Sequence, residues 1–285
     1  MSKFKLACVQ MDIAIGAATR NVGKIQQYLA ETTAKGAQLT IFPECTTSGY
    51  CFDSMEETLA VAEPIDGPSV TAVIQTCKEL GTTAIFGLLE KDESGNETVV
   101  YNTAVCVDGT GVIAKYHKVH LPTLGVDNFT TPGAEPFEVF ELELGGTTAR
   151  IGMNICYDCS FPESARILAL KGADLIALPT NWPPGSGKVS DVIPDTRALE
   201  NNVYFAAVNR IGKERGFSFI GKSKICDPLG VTLAGCQHDE SEILYADVDV
   251  EFARRKHLVA VPGKHEVHRI EDRRPDVYGP LSDPK

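Results

Sequence analysis

The chain has 285 residues, 43% hydrophobic and 23% charged, which is enough apolar material for a sizeable core without disulfide or metal staples. Those proportions exclude a disordered, collagen-like or coiled-coil chain as a global description. With 27 basic against 38 acidic residues the net charge is −11. A nucleic-acid or anionic-membrane partner would therefore need a local basic patch, and the basic runs go no further than Arg254-Arg255-Lys256 and Arg273-Arg274.

Taken in order, Phe4–Met11 alternates as a half-buried strand, Asn21–Lys35 has helical periodicity and Gln38–Phe42 is a buried strand. Ser69–Leu80 is predicted helical, with Gly67-Pro68 before it and Gly81 after it. Ala84–Leu89 and Thr103–Val107 form strands around a polar turn at Asp92–Asn96, the pattern of a hairpin. Gly111–Val119, Arg150–Ile155, Leu175–Leu178, Tyr204–Val208, Lys222–Cys226 and Ile243–Val248 continue the strands, and a helix is expected from Ser160 to Lys171. Roughly ten strands with about five helices make an α/β (α+β) protein.

Gly36-Ala-Gln-Leu-Thr-Ile-Phe-Pro43 echoes Gly172-Ala-Asp-Leu-Ile-Ala-Leu-Pro179, each after a helix that ends at Lys-Gly. The echo points to two related halves, although helix–Gly–strand junctions also converge on this pattern. No Pro/Gly/Ser linker divides residues 1–260, so a single domain over residues 1–268 is favoured over two. Arg269–Lys285 is charged and Pro-rich, and is expected as an irregular tail suited to lie on a neighbouring subunit.

The nine cysteines are odd in number, and several sit in apolar runs where Cys behaves as a small buried hydrophobe. No signal peptide precedes Lys3-Phe4-Lys5, and no apolar stretch reaches about 18 residues, so a reducing cytoplasm is the expected location. One spacing stands apart, Cys156-Tyr-Asp-Cys159.

Cys156 follows a strand and precedes Ser160-Phe-Pro-Glu163, a capping-box signature with Pro in the first turn. A thiol near a helix N-terminus is expected to have a lowered pKa, which suits a nucleophile; the alternative is a buried structural Cys. Glu44 ends the strand Gln38–Phe42 directly after Pro43. A carboxylate there is solvated, paired or a general base with raised pKa. Lys118 lies in Lys115-Tyr-His-Lys-Val-His-Leu-Pro122, where an ammonium can hold an oxyanion or merely be solvated. His117 and His120 flank it as candidates for a Cys–His pair.

Pro43-Glu44, Lys118-Val-His-Leu-Pro122 and Cys156-Tyr-Asp-Cys-Ser-Phe-Pro-Glu163, in this order and at these separations, resemble the nitrilase superfamily of carbon–nitrogen hydrolases. The resemblance runs from Val9-Gln10 to about Asp249 and takes in Pro132-Gly133, Gly172-Ala-Asp and Ala198-Leu-Glu-Asn201. It implies a four-layer αββα sandwich with Glu44, Lys118 and Cys156 converging in a pocket at one end. It further implies an amide-type carbonyl attacked by Cys156, with Glu44 as base and then acid, and Lys118 and the Tyr157 backbone N–H at the oxyanion. No metal or organic cofactor is required. A homodimer or larger homo-oligomer is implied as well.

Where many members carry a second Glu, about six residues before the Pro-Gly, this chain has Val126, with Asp127 one residue closer. Asp127 is either the replacement, orienting Lys118 or the substrate, or a loop Asp capping a turn. Cys-Tyr-Asp is similar to the amidase side of the family rather than to true nitrilases. Relatives that bind a substrate carboxylate often place Arg at the positions of Cys159 or Ser160, both uncharged here. The expectation is therefore a neutral or amine-bearing amide, with Tyr50, Tyr157, Asn181 and Trp182 as pocket walls. Three other readings compete: a carbamoyl-amine amidase or nitrilase proper, a CxxC redox or zinc protein built on Cys156 and Cys159, and a catalytically silent binding subunit.

Overall fold

The computed structural model describes residues 3–283. In chain order it runs β1 (Lys3–Gln10), α1 (Ala18–Ala34), β2 (Leu39–Ile41), α2 (Met55–Val61), α3 (Pro68–Leu80), β3 (Thr83–Asp92), β4 (Val99–Asp108) and β5 (Gly111–His117). There follow β6 (Val139–Leu144), β7 (Thr147–Met153), α4 (Pro162–Leu170), β8 (Leu175–Thr180), α5 (Gly187–Asn201) and β9 (Tyr204–Asn209). The last third holds β10 (Ile211–Glu214), β11 (Phe217–Ile220), β12 (Lys224–Cys226), β13 (Thr232–Gly235), β14 (Glu242–Asp249), α6 (Val250–Arg254), β15 (His257–Val261) and β16 (His265–His268).

Two six-stranded sheets carry the fold, in the orders β14-β1-β2-β3-β4-β5 and β6-β7-β8-β9-β12-β13. Position by position the two orders have the same directions. The first pair of strands is antiparallel, the next two pairs are parallel, and the last two are antiparallel. In each half the parallel strands are joined by helices, as parallel neighbours require. β2 and β8, which contain the echoed segments, occupy the same place in their sheets. The glycine that ends the preceding helix is left-handed in both, Gly36 at φ 85° and Gly172 at φ 91°. The chain is thus built from two topologically equivalent halves.

Period-two alternation divides each strand between two faces. From the first sheet Phe4, Leu6, Cys8, Ile85, Ala104 and Cys106 point at the second sheet and share a core with Ile151, Leu175, Ala177 and Phe205. Their neighbours Val9, Ala84, Phe86, Val105 and Val107 face the other way and pack with Val22, Ile25 and Leu29 of α1 and Val70 and Val73 of α3. Ala165 and Leu168 of α4 and Ala198 of α5 cover the second sheet. The layers are helices, sheet, sheet, helices, which is the αββα sandwich.

The predicted strands and helices are all present, with bounds shifted by a few residues. The sequence pattern missed β6, β13, the ribbons β10–β11 and β15–β16, α2, α5 and α6. Helix α5 was obscured by Pro194 in its interior, where proline removes a hydrogen-bond donor. The segment from Arg269 holds two short 3-10 turns, at Pro275–Val277 and Gly279–Leu281. It lies back over its own chain, where Arg273, Tyr278 and Leu281 line a cleft with Pro162, Glu163, Arg166 and Glu200. Its last two residues fall outside the described range. No helix among the described residues is long and apolar enough to cross a membrane.

Candidate active site

The site forms beyond the C-terminal ends of the parallel strands, where chain ends leave room between loops. β2 delivers Glu44 through Phe42-Pro43, and the backbone turns sharply at Cys45, a non-glycine residue at φ 48°. This turn is pressed against β3. A Cβ on Gly87 would stand 2.2 Å from the Cys45 nitrogen, so only glycine lets the two backbones approach. Further along the loop, the Glu214 carboxylate accepts the N–H groups of Tyr50 and Cys51 at 2.9 Å each. Glu214 is itself paired with buried Arg210, which donates to Ile13 O at 2.7 Å. The loop is therefore held by a buried ion pair before any ligand arrives.

Lys118 sits one residue past β5, its N–H donating to Asn102 O at 2.9 Å and its carbonyl accepting from Gly133 N at 2.8 Å. Its ammonium lies 2.8 Å from Glu44 Oε1 and 2.5 Å from Asp127 Oδ2. The Asn102 amide bridges the same two carboxylates, donating to Glu44 Oε1 at 2.8 Å and to Asp127 Oδ1 at 2.9 Å. Tyr50 OH donates to Asp127 Oδ2 at 2.7 Å. Every member of this network is buried. Asp127, on the 3-10 turn Gly125–Asn128, thus contacts Lys118. Asn102 was missed; its only signal is a polar side chain in an apolar strand.

Cys156 opens the 3-10 turn Cys156–Ser160 at φ 43°, a left-handed conformation that a non-glycine residue holds at a cost of about 1–3 kcal/mol. The turn is held by Asp158, which is buried at its centre. Its Oδ2 accepts from Ile155 N at 2.9 Å and Tyr116 OH at 2.8 Å; its Oδ1 accepts from His120 N at 3.0 Å and lies 2.7 Å from His120 Nδ1. The His120 ring stacks on Phe161 at 3.7 Å, and His117 Nε2 is taken by Glu90 at 2.8 Å. Both rings have other partners, so the Cys–His pairing considered from sequence does not form.

Two expectations about Cys156 need correcting. Ser160 caps no helix: α4 starts at Pro162, with Phe161 at its N-cap and no side-chain cap there. The thiol is also not depressed in pKa. Burial pushes it well above the usual range, as does the Glu44 carboxylate, against the pull of Lys118 and hydrogen bonding to Thr180 and the Asn181 N–H. Cys156 is 8% exposed.

Burial likewise raises Glu44, opposed by Lys118 and reinforced by the charge of Asp127. Burial would lower Lys118, but Asp127 and Glu44 outweigh it and keep the ammonium charged. Glu44 Oε1 is fully engaged, whereas its buried Oε2 makes no hydrogen bond among the described residues. That oxygen is the one available to take or return a proton. A thiol, a carboxylate with raised affinity for a proton and a fixed ammonium have the groups needed for nucleophilic attack on a carbonyl, with the same carboxylate serving both proton transfers.

Asn181 is buried, with both side-chain polar atoms unpartnered. Trp182 is packed into the sandwich core, and its backbone N–H donates to Asn209 Oδ1 at 2.8 Å. The Tyr157 ring is 40% exposed and meets Phe161 edge-on at 5.2 Å. All nine cysteines are buried and free.

The carbon–nitrogen hydrolase family model matches residues 5–257. The chain belongs to this family, within the nitrilase superfamily, and is a hydrolase of non-peptide carbon–nitrogen bonds. It is 37% identical to a nitrilase of Pyrococcus abyssi over 96% of this chain and 98% of that one. It is 29% identical to an omega-amidase NIT2 of Xenopus tropicalis over 96% and 100% of the two chains. Among solved structures it is similar to a mutant amidase of Nesterenkonia sp. AN1, at TM-score 0.76 and 25% identity over 96% of this chain and 94% of that one. That structure shows covalent addition of the acetamide moiety of fluoroacetamide at its active-site cysteine.

Proposed function

We propose that this family member hydrolyses a small neutral or amine-bearing amide to acid and ammonia through a thioester on Cys156. The observation that carries the reading is the buried Glu44–Lys118–Asp127 network with Glu44 Oε2 unengaged, within electrostatic reach of the Cys156 thiol. Glu44 takes the Sγ proton as sulfur bonds to the amide carbon, and the charge moving onto the carbonyl oxygen is held by Lys118 and the Tyr157 N–H. The carbon–nitrogen bond then breaks while Glu44 returns the proton to the leaving nitrogen, giving ammonia and the thioester. Water, deprotonated by the same carboxylate, attacks the thioester and releases the acid and the thiol. The likeness to omega-amidases and to an amidase whose active-site cysteine takes up the acetamide moiety of fluoroacetamide supports an amide over a nitrile. The uncharged Cys159 and Ser160 support a substrate without a carboxylate. Nine free, buried thiols fit a reducing cytoplasm.

An ammonia-release screen across amides, carbamoyl amines and nitriles tests the proposal, with Cys156→Ala as control. Ammonia from neutral amides without carbon dioxide, and its loss by more than about 10⁴-fold in the variant, are expected. Substantial turnover by Cys156→Ala overturns the mechanism. Carbon dioxide among the products replaces the amide with a carbamoyl substrate.

A further inference from the structure

The chain passes from one sheet to the other at two equivalent places. After β5 it crosses to β6 through the loop that carries Lys118 and Asp127; after β13 it crosses to β14 through residues 236–241. The second crossing has no part in the proposed chemistry, yet it too is dense in reactive side chains. Among the described residues, Cys236, His238 and Glu242 offer a sulfur, a ring nitrogen and a carboxylate oxygen that all lie within 4.8 Å of one another. Cys236 leaves the second sheet and is 2% exposed; Glu242 is the first residue of β14 in the first sheet. His238 Nε2 lies 2.7 Å from Glu242 Oε2.

The loop backbone is held mainly from outside the cluster, with one further bond from Glu240 N to His238 Nδ1 at 3.3 Å. The Gln10 amide donates to His238 O at 3.0 Å and Glu240 O at 2.8 Å, and accepts from Ser223 N at 3.0 Å. Cys236 N donates to Ser223 O at 2.9 Å. A thiolate, an imidazole and a carboxylate are the donor set of zinc, whose ligand atoms stand about 2.0–2.3 Å from the metal and hence roughly 3.5 Å apart. Side-chain shifts of about an ångström would close the present cluster onto an ion, leaving a fourth position for water.

We propose that Cys236, His238 and Glu242 form a zinc-class divalent metal site that clamps the two sheets together at this crossing. Binding replaces the Cys236 sulfur–hydrogen bond with a sulfur–metal bond, the proton going to solvent. The metal acts on the fold, not on the amide.

The test uses the full chain, stripped with a chelator and titrated with Zn²⁺ alone, followed by Co²⁺ spectroscopy and thermal unfolding. One equivalent of Zn²⁺ is expected to bind, with a rise of a few degrees in Tm and a thiolate-to-Co²⁺ charge-transfer band. His238→Ala, a surface change that leaves the core intact, is expected to weaken binding at least about tenfold, the lower end of what even outer-sphere partners are worth. It is also expected to abolish the Tm rise while keeping hydrolytic activity, and Cys236→Ser is expected to lose the Co²⁺ band. Cys156→Ala separates this site from the nucleophile and is expected to bind as the parent does. Absence of stoichiometric binding, binding unchanged in His238→Ala, or binding lost in Cys156→Ala each overturns the proposal.

Discussion

Asp158 and His120 are joined twice: one carboxylate oxygen accepts the histidine's backbone N–H at 3.0 Å and faces its ring nitrogen at 2.7 Å. The pair ties the segment that delivers Lys118, two residues before His120, to the turn that holds Cys156. Asp158 is therefore expected to act as a positioning residue, holding the Lys118 segment against the Cys156 turn. Asp158→Asn swaps an acceptor for a donor among buried N–H and O–H groups, and an unfolding free energy lower by about 2 kcal/mol is expected. Displacing the sulfur should also lower kcat by about 10²-fold with little change in KM. Urea unfolding and steady-state kinetics check the two effects. A stability loss with kcat untouched reduces Asp158 to a purely structural part.

Burial raises the proton affinity of Glu44, Lys118 lowers it and the charge of Asp127 raises it. The base must be ionised to act, so the acid limb of kcat/KM is expected above the ordinary 4.5. Asp127→Asn removes one raising influence while Lys118 remains, so the limb should move to lower pH. The maximal rate should fall by about 10²-fold as Lys118 loses a partner. A pH–rate profile of the two proteins decides it; a limb that moves upward contradicts the assigned roles.

Cys159 is buried, and its carbonyl accepts from Arg197 Nε at 3.0 Å. In the hydrolytic reading its sulfur does nothing. Cys159→Ser is expected to keep activity within about twofold at a stability cost of about 1–2 kcal/mol for a buried hydroxyl. The same assay run with and without a thiol reductant should show no difference. Loss of turnover in this variant, or its dependence on reductant, would revive a dithiol mechanism.

Glu44, Lys118 and Cys156 were legible because each stands beside a local marker, a proline or a strand end, and because the three recur in one order. Asp127 was legible only as an offset in spacing; its role rests on contacts to Lys118, Asn102 and Tyr50. Asn102 meets Glu44 and Asp127 from positions 58 and 25 residues away, a separation that no local pattern encodes. Asp158 was in plain view inside the nucleophile motif, yet its partners Tyr116 and His120 lie 42 and 38 residues upstream. The state of the thiol was misjudged for a related reason: a helix start is readable locally, whereas burial depends on the whole sandwich. For strands, alternation identified the buried centres of both sheets. It failed at the edge β6 and at the ribbon β15–β16, which have little or no core to face.

The left-handed backbone at Cys45 and Cys156 has a consequence for how this chain can change. Glycine would adopt either conformation freely, so at both positions a more relaxed fold is one substitution away. At Cys156 that substitution removes the sulfur. Selection for thermal robustness alone would therefore drift toward a sturdier, inert protein, and a stabilising campaign on this chain needs a catalytic counter-screen from its first round.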